Sequence, residues 1–218
     1  RACKVIGALE LIRRSDAELG DEAFTVGLWL GGSSSPNTFA QAIDYKEKQN
    51  FSKFVLLECP WCSQKFTEEN YVVDENRFHF SCTNRSCEFG KDENNILPFN
   101  VVDEALYANP PSLLIATVDK FARLAWKEEA NSFFGGKSNR PPDLIIQDEL
   151  HLISGALGSI VGLYEAGLEA IITSRGVYPK FIASTATIRQ ASEQVKALFG
   201  RDMAVFPPVG LRQKDAYF

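Results

Sequence analysis

Apolar runs alternate with segments of helical periodicity along most of this chain. Five of the runs have the length and composition of strands, at 23–30, 112–116, 143–147, 181–184 and 204–206. Helical segments with apolar residues along one face lie before or between them, at 3–14, 38–48, 103–108, 119–129, 159–174 and 188–199. Strands that alternate with helices predict a parallel sheet covered by helices on both faces. The chain is therefore assigned to the α/β class.

Residues 51–98 interrupt this alternation, because the segment is polar and contains four of the five cysteines. Two short β-like runs, 71–73 and 78–80, flank a polar stretch, which is typical of a hairpin. We predict that this segment is a small β-rich module inserted into a larger domain, which consists of residues 1–50 and 99–218.

The cysteines of the predicted insertion have the spacing of a zinc site. Cys59 and Cys62 form one pair, and after nineteen intervening residues Cys82 and Cys87 form a second pair, separated by four residues. Two thiolate pairs on adjacent turns can complete a tetrahedral Zn²⁺ site, and four protein ligands predict a structural metal. The long second spacing leaves His79 as an alternative to Cys87. The competing interpretation is four buried cysteines without a metal.

Charge and hydrophobicity narrow the range of functions. With 23 basic and 28 acidic residues the net charge is −5, so any contact with nucleic acid would have to be local. No uninterrupted apolar run approaches the about 20 residues of a membrane span. Glu10 interrupts the apolar stretch near the N-terminus, which does not have the pattern of a signal peptide. We expect a cytoplasmic protein with no membrane partner and, since no initiator Met begins it, a piece of a longer chain.

Two acids follow directly after a predicted buried strand. Asp148 and Glu149 come after the run 143–147, and His151 follows two positions later. In an open α/β sheet, ligands bind in the crevice beyond the carboxyl ends of the strands. One carboxylate there could hold the Mg²⁺ of a nucleotide, and the second could polarise an attacking water. The alternative is a strand that ends in solvated acids.

Two further strand ends carry hydroxyl side chains. Thr117 follows the strand 112–116 and precedes a helix, where free backbone N–H groups favour a phosphate of a nucleic-acid strand. The alternative for Thr117 is that it only caps its helix. Residues 184–187 contain one Ser and two Thr, whose hydroxyls could hydrogen-bond the carboxylates or His151. The alternative for them is an ordinary polar turn.

In this order, the three stretches resemble the first RecA-like domain of the superfamily-two helicases. Asp148-Glu149-Leu150-His151 matches the DExH box, and Thr185-Ala186-Thr187 matches the Ser-Ala-Thr motif. Thr117 lies where this family contacts nucleic acid. Gly31 and Gly32 lie where these proteins have a glycine turn near the bound strand.

The resemblance covers residues 1–50 and 99–218 and implies a three-layer, RecA-like lobe with a zinc-ribbon-like insertion at 51–98. More narrowly, residues 110–121 and 147–155 are similar to the helicase-like subunits of the bacterial DISARM phage-defence systems. That similarity implies a role on double-stranded DNA in restricting invading DNA, together with a partner protein of the defence system.

The helicase resemblance also implies roles for individual residues. Asp148 would coordinate Mg²⁺, and Glu149 would position or deprotonate the water that attacks ATP. His151, Thr185 and Thr187 would couple the state of the nucleotide to motion of a second RecA-like domain.

The phosphate loop that such an enzyme needs is not recognisable in this sequence. Gly135-Gly136-Lys137-Ser138 matches only the end of the pattern, because Asn131 stands where its first glycine belongs and no strand precedes it. We predict a flexible loop there, and we expect this chain alone to bind ATP poorly. The leading hypothesis is part of an ATP-dependent nucleic-acid motor, with DNA as the preferred partner. The alternative is a catalytically degenerate scaffold whose zinc ribbon binds a protein or DNA.

Overall fold

The computed structural model describes residues 1–91, 96–122, 124, 126–136, 139–185 and 191–206. The chain forms two compact units, Arg1–Arg140 and Pro141–Phe218. Each unit contains parallel strands and helices. The mixed α/β fold expected from the sequence is thereby confirmed.

The first unit contains a three-stranded parallel sheet. Its elements are α1 (Ala2–Ser15), β1 (Val26–Trp29), α2 (Phe39–Glu47), β2 (Tyr71–Val73), β3 (Phe78–Phe80), β4 (Phe99–Asn100), α3 (Asp103–Ala108), β5 (Leu113–Ala116) and α4 (Val118–Phe121). Strand β1 is central and pairs with β4 on one side and with β5 on the other. The strands that precede and follow segment 51–98 therefore pair directly with each other, although the domain boundaries themselves stay a prediction.

Segment 51–98 packs into the same hydrophobic core as the sheet. The antiparallel hairpin β2–β3, predicted from the sequence, aligns Tyr71 with Phe80. The Tyr71 ring stacks on Phe54 with a centroid distance of 4.8 Å. One continuous cluster of buried side chains includes Phe54, Tyr71 and Phe80 from the segment and Val26 and Val102 from the surrounding α/β elements. The stability of the segment and of the sheet is consequently shared.

Helix α1 is fixed to the beginning of β1 by a buried carboxylate. Glu10, 1% exposed, accepts hydrogen bonds from Arg13 and Arg14, each 2.9 Å long. It also accepts one from the backbone N–H of Phe24, at 2.9 Å. Burial by itself raises the pKa of Glu10, but these three donors outweigh it and lower the pKa to about 2.

This arrangement predicts how stability depends on pH. The folded-state pKa of Glu10 lies below the ordinary value of 4.5, so its contribution is complete above pH 4.5 and is lost as the pH falls toward 2. We expect Glu10→Gln to lower the free energy of unfolding by roughly 2 to 3 kcal/mol at pH 7. The difference from wild type should shrink in urea titrations at lower pH. Exposed Glu18→Gln is the control, and equal stability of the two variants at pH 7 would contradict this assignment.

The second unit contains β6 (Leu144–Gln147), α5 (Gly155–Thr173), β7 (Lys180–Ala183) and α6 (Ala191–Phe199). The two strands are parallel, and Ile145 aligns with Phe181. The Phe181 ring contacts Phe199 of α6 at a centroid distance of 5.2 Å and the guanidinium of Arg201 at 4.6 Å. This β–α–β–α order is the one predicted from the sequence for this part of the chain.

Two elements predicted from the sequence are wrong: one helix is shorter than expected, and one strand does not form. The helix expected at 119–129 comprises only α4, because the chain turns after Phe121 and forms a 3₁₀ helix at Glu128–Phe134. That turn brings Phe133 against Trp29, with ring centroids 5.2 Å apart. Tertiary packing of these aromatic side chains thus overrides the local helical periodicity. The run 204–206, within the described part of the chain, forms no strand.

Helix α5 is the exception to the expectation that no segment could span a membrane. It has 19 residues and a mean hydropathy of 1.3, so by length and composition alone it could cross a bilayer. Glu165 and Glu169 interrupt its apolar sequence, so the helix contains no long uninterrupted apolar run. Core helices of water-soluble domains satisfy the same criteria, and the finding is weak support for a membrane segment.

Candidate functional site

The four cysteines of the predicted zinc site converge in the structure. The sulfur atoms of Cys59, Cys62, Cys82 and Cys87 all lie within 4.8 Å of one another. The sulfurs of Cys62 and Cys82 are 3.8 Å apart, which is about the separation that tetrahedral Zn–S bonds of about 2.3 Å require. The group includes Cys87, and His79 on β3 is not part of it.

Three of the four cysteines are buried, and a tight loop closes the second pair. Cys59, Cys82 and Cys87 are buried, and burial raises the pKa of the Cys59 and Cys82 thiols above the ordinary value. A bound metal ion stabilises thiolates that burial would otherwise keep protonated. The second cysteine loop is closed by Gly90, where an added Cβ would lie 2.0 Å from the carbonyl oxygen of Asn84. Only glycine therefore permits this close turn around the site.

A pocket of about 340 Å³ lies at the carboxyl ends of β1 and β5. It brings together Thr117 and Gly31, two of the residues predicted to contact nucleic acid. Gly32 packs beside it, with the amide of Asn37 so close that a Cβ would lie 2.7 Å from Nδ2. Residues that the sequence did not single out complete the lining, namely Ser33, Ser34, Asp119 and Lys120, of which Lys120 is buried.

The Thr117 hydroxyl does not cap its helix. Thr117 occupies the N-cap position of α4, but its side chain makes no capping hydrogen bond. The residue is exposed, at the border of the pocket. A cap formed by the Thr117 hydroxyl is therefore not observed, and a contact of this residue with nucleic acid stays a prediction.

Beneath the pocket lies a network of buried polar side chains that the sequence did not indicate. The ammonium of Lys120 forms an ion pair with Asp103 and donates a hydrogen bond to Oδ1 of Asn37 at 3.3 Å. The Tyr107 hydroxyl donates to Asp103 at 3.4 Å and accepts from Nε1 of Trp29 at 3.1 Å. No local pattern reveals such a network, because its five members come from four separate segments of the chain.

The predicted acidic pair lies at the carboxyl end of β6 in the second unit. Asp148 accepts a short hydrogen bond from the hydroxyl of Ser184, at the end of β7, and one from the backbone N–H of Glu149 at 3.0 Å. Donation from Ser184, followed by that of the Glu149 N–H, lowers the pKa of Asp148 and favours the carboxylate. A hydroxyl of the segment 184–187 therefore bonds a carboxylate, as the sequence suggested. The hydroxyl is that of Ser184, whereas Thr185 and Thr187 were the predicted site residues.

The backbone at Glu149 has an unusual conformation. Its φ of 52° and ψ of 41° are left-handed, which is uncommon for a residue with a side chain. The turn is fixed by a 2.9 Å hydrogen bond from the N–H of Leu150 to the carbonyl of Ser184 and by Gln194, whose amide donates to the carbonyl of Leu150 at 3.0 Å. Backbone strain of this kind is concentrated at functional sites.

Two of the three other predicted residues of this site, His151 and Thr185, lie within the described part of the chain. His151 lies with Nδ1 3.3 Å from the carboxylate of Glu149, whose side chain is 60% exposed. Thr185 is exposed and lies two residues after the end of β7. Thr187 lies outside the described residues. The acidic turn, 148–151, therefore presents two carboxylates and an imidazole to the surroundings at the end of a parallel strand pair.

Sequence comparison places this chain among relatives of the DISARM proteins, which confirms the resemblance found in its motifs. The chain is 34% identical over 270 residues to the DISARM protein DrmA of Bacillus paralicheniformis (strain ATCC 9945a / NCIMB 11709 / CD-2). That match includes 100% of this chain and 24% of DrmA, so the chain spans about a quarter of its relative's length. No family model matches the chain.

Two solved structures show a partial likeness to this chain, both of them crystal structures of the DUF1998 helicase MrfA. The structure of MrfA bound to DNA matches 83% of this chain and 20% of its own, with a TM-score of 0.38 and 21% identity. The structure of MrfA without DNA matches 88% of this chain and 23% of its own, with a TM-score of 0.34 and 21% identity.

Proposed function

We propose that this chain is the part of a helicase-like DISARM protein that carries the DExH box, and that the full-length protein couples ATP hydrolysis to movement on DNA. The observation that carries the proposal is the acidic turn, 148–151. Its carboxylates are exposed at the carboxyl end of parallel strands, the place where α/β sheets bind ligands. Homology to DrmA supports the assignment to phage defence.

The residues of the turn fit the chemistry of Mg²⁺-dependent nucleotide hydrolysis. Mg²⁺, when bound with the triphosphate, would neutralise its charge, and carboxylate oxygens such as those of Asp148 are the ligands it prefers. Glu149 would accept the proton of the attacking water. His151, within 3.3 Å of Glu149, and Thr185 and Thr187 would respond to the nucleotide and pass its state to a second lobe.

We propose that the pocket in the first unit contacts the backbone of the DNA. Its lining offers the hydroxyls of Thr117, Ser33 and Ser34, which can donate to phosphate oxygens, and Gly31 lets a strand approach closely. With a net charge of −5, binding would depend on such local contacts. A structural Zn²⁺ at the four cysteines, a cytoplasmic location and a partner protein of the defence system complete the proposal.

The test is ATP hydrolysis by the full-length protein with and without DNA. We expect turnover that requires Mg²⁺ and that double-stranded or single-stranded DNA stimulates. A protein that binds DNA or a partner but never hydrolyses ATP would instead support the alternative, a degenerate scaffold.

The role of the pocket predicts the effect of Thr117→Val. This variant removes one hydroxyl and keeps the shape of the side chain, so DNA affinity should fall by about 2- to 10-fold, the value of one hydrogen bond. Fluorescence anisotropy with labelled DNA measures the change. Thr173→Val is the matched control, because the Thr173 hydroxyl only bonds carbonyls of its own helix. Equal affinities of the two variants would exclude Thr117 from the interface.

A further inference from the structure

We infer that the buried ion pair between Lys120 and Asp103, with Asn37, holds the walls of the pocket in position for its ligand. These three are positioning residues and do not bind the ligand through their charges. The inference rests on the proposed function, because it assumes that the pocket binds the DNA backbone. Its structural part, the ordering of the pocket, can be tested without DNA.

Both charges of the pair are withdrawn from solvent. The side chains of Lys120 and Asp103 are 2% and 5% exposed, and the ammonium lies 5.5 Å from the ring centre of Trp29. A buried ammonium keeps its charge only when opposite charge and hydrogen bonds compensate for lost hydration. Here Asp103 and Asn37 provide that compensation, so the charge of Lys120 is satisfied within the protein and is not available to a phosphate.

The pair joins each segment that forms the pocket. Trp29 lies two residues before Gly31, and Lys120 lies three residues after Thr117. Asn37 ends the loop that contains the serines and packs on Gly32. Movement of any of these segments would break a contact to the pair.

Backbone contacts tie the same loop to α3, the helix of Asp103. The N–H of Asp103 donates to the carbonyl of Pro36 at 3.3 Å, and the N–H of Glu104 donates to the carbonyl of Asn37 at 3.1 Å. Within the loop, the N–H of Ser34 donates to the carbonyl of Gly31 at 2.7 Å. These amides should exchange slowly with solvent while the network is intact, and their exchange reports directly on the order of the pocket.

Energetic considerations favour positioning over stability as the role of the pair. Replacing a buried ion pair with neutral residues of similar volume often changes stability little, whereas removing one partner leaves an uncompensated buried charge. The substitutions Lys120→Met and Asp103→Asn, made singly and together, should therefore distinguish a role in positioning the pocket from a role in stability. The double variant keeps the packing and removes the charge-dependent geometry, while each single variant also pays the cost of the unpaired charge.

The experiment compares the two single variants and the double variant with wild type in the full-length protein. The matched control is Lys48→Met with Asp44→Asn, which removes the same kinds of residue from an exposed pair whose charged atoms are 2.7 Å apart. Thermal unfolding, hydrogen exchange of residues 31–38 and of the Asp103 and Glu104 amides, and DNA binding over a range of salt concentrations are measured for each protein. Asn37→Ala is added as a mild variant that keeps the ion pair and should fold.

We expect both single variants to lose at least about 10 °C in Tm and the double variant to recover most of that loss. In the double variant, amides of residues 31–38 should nevertheless exchange at least about tenfold faster, and DNA affinity should fall about tenfold. The salt dependence of binding should not change, whereas loss of a direct phosphate contact would lower its slope by about 1. Asn37→Ala should show the same changes in exchange and affinity to a smaller extent.

Wild-type exchange in the double variant and in Asn37→Ala would overturn the inference, and so would a reduced salt slope on loss of Lys120. If wild-type protein binds no DNA, the proposed function of the pocket fails, and the exchange of residues 31–38 still decides whether the network orders it. The control pair should leave exchange, affinity and salt slope unchanged.

Discussion

Cys82→Ser in the full-length protein should release the metal and destabilise the first unit well beyond the cysteine segment itself. The buried Cys59, Cys82 and Cys87 belong to the same hydrophobic cluster as Val26 of β1 and Phe99 of β4. Losing one of four ligands removes part of the binding free energy that folding of such a site provides. We expect a loss of roughly 3 to 5 kcal/mol, or about 10 °C in Tm, and a metal content near zero in elemental analysis.

The distribution of this loss distinguishes a shared core from an independent module. Hydrogen exchange should increase in β1 and β4 as well as in the hairpin β2–β3, because their side chains pack in one cluster. Cys3→Ser is the matched control, since Cys3 is the one cysteine outside the metal group. Increased exchange confined to residues 51–98 would show that the segment folds by itself. Freshly purified wild-type protein without zinc would contradict the metal site altogether.

The cysteine site was predictable from the sequence because both pairs are local. Each pair occupies one short turn, and its spacing restricts where the sulfurs can point. The choice between Cys87 and His79 was not predictable, since it depends on how tightly the second loop closes. Gly90 lies against Asn84 and allows that closure. His79, in contrast, stands opposite Val72 in the hairpin and is held there by strand pairing.

The acidic turn illustrates a second kind of predictable feature. An apolar run followed by Asp148 and Glu149 predicts a buried strand that brings two acids to the carboxyl edge of a sheet. The structure contains the strand and the two exposed acids. The prediction that this strand is buried is wrong, since β6 pairs only with β7 among the described residues and Ile146 is 60% exposed. The sequence indicated only that one of several hydroxyls at 184–187 could bond a carboxylate. The register between β6 and β7 determines that Ser184 is the residue that donates to Asp148. The left-handed backbone of Glu149 could not be predicted, because only a glycine at this position would have indicated it in the sequence.

The network beneath the pocket had no sequence signal at all. Asp103 and Lys120 are 17 positions apart and lie on α3 and α4, so their contact depends on how these helices meet over Trp29. The predicted helix at 119–129 even suggested a longer, more regular element. Its early end, caused by the return of Phe133 onto Trp29, depends on aromatic packing between distant parts of the chain.

Glu149→Gln in the full-length protein should abolish ATP turnover and leave ATP binding intact. The amide is isosteric with the carboxyl group, and the turn around it is held by backbone contacts of Leu150 and by Gln194, which the substitution does not touch. What is lost is the base that would accept a proton from water and the negative charge beside His151. Loss of a general base lowers kcat by about 10²- to 10⁴-fold.

Steady-state hydrolysis and equilibrium binding of ATP, measured on the same preparations, separate the two effects. Glu193→Gln is the matched control, because Glu193 is an exposed acid on α6 of the same unit. Asp148→Asn should differ from both, since it removes the proposed ligand of Mg²⁺ and should weaken ATP binding in a way that added Mg²⁺ partly restores. Hydrolysis by Glu149→Gln at the wild-type rate would refute its role as base. It would leave the acidic turn as a structural feature and favour the scaffold alternative.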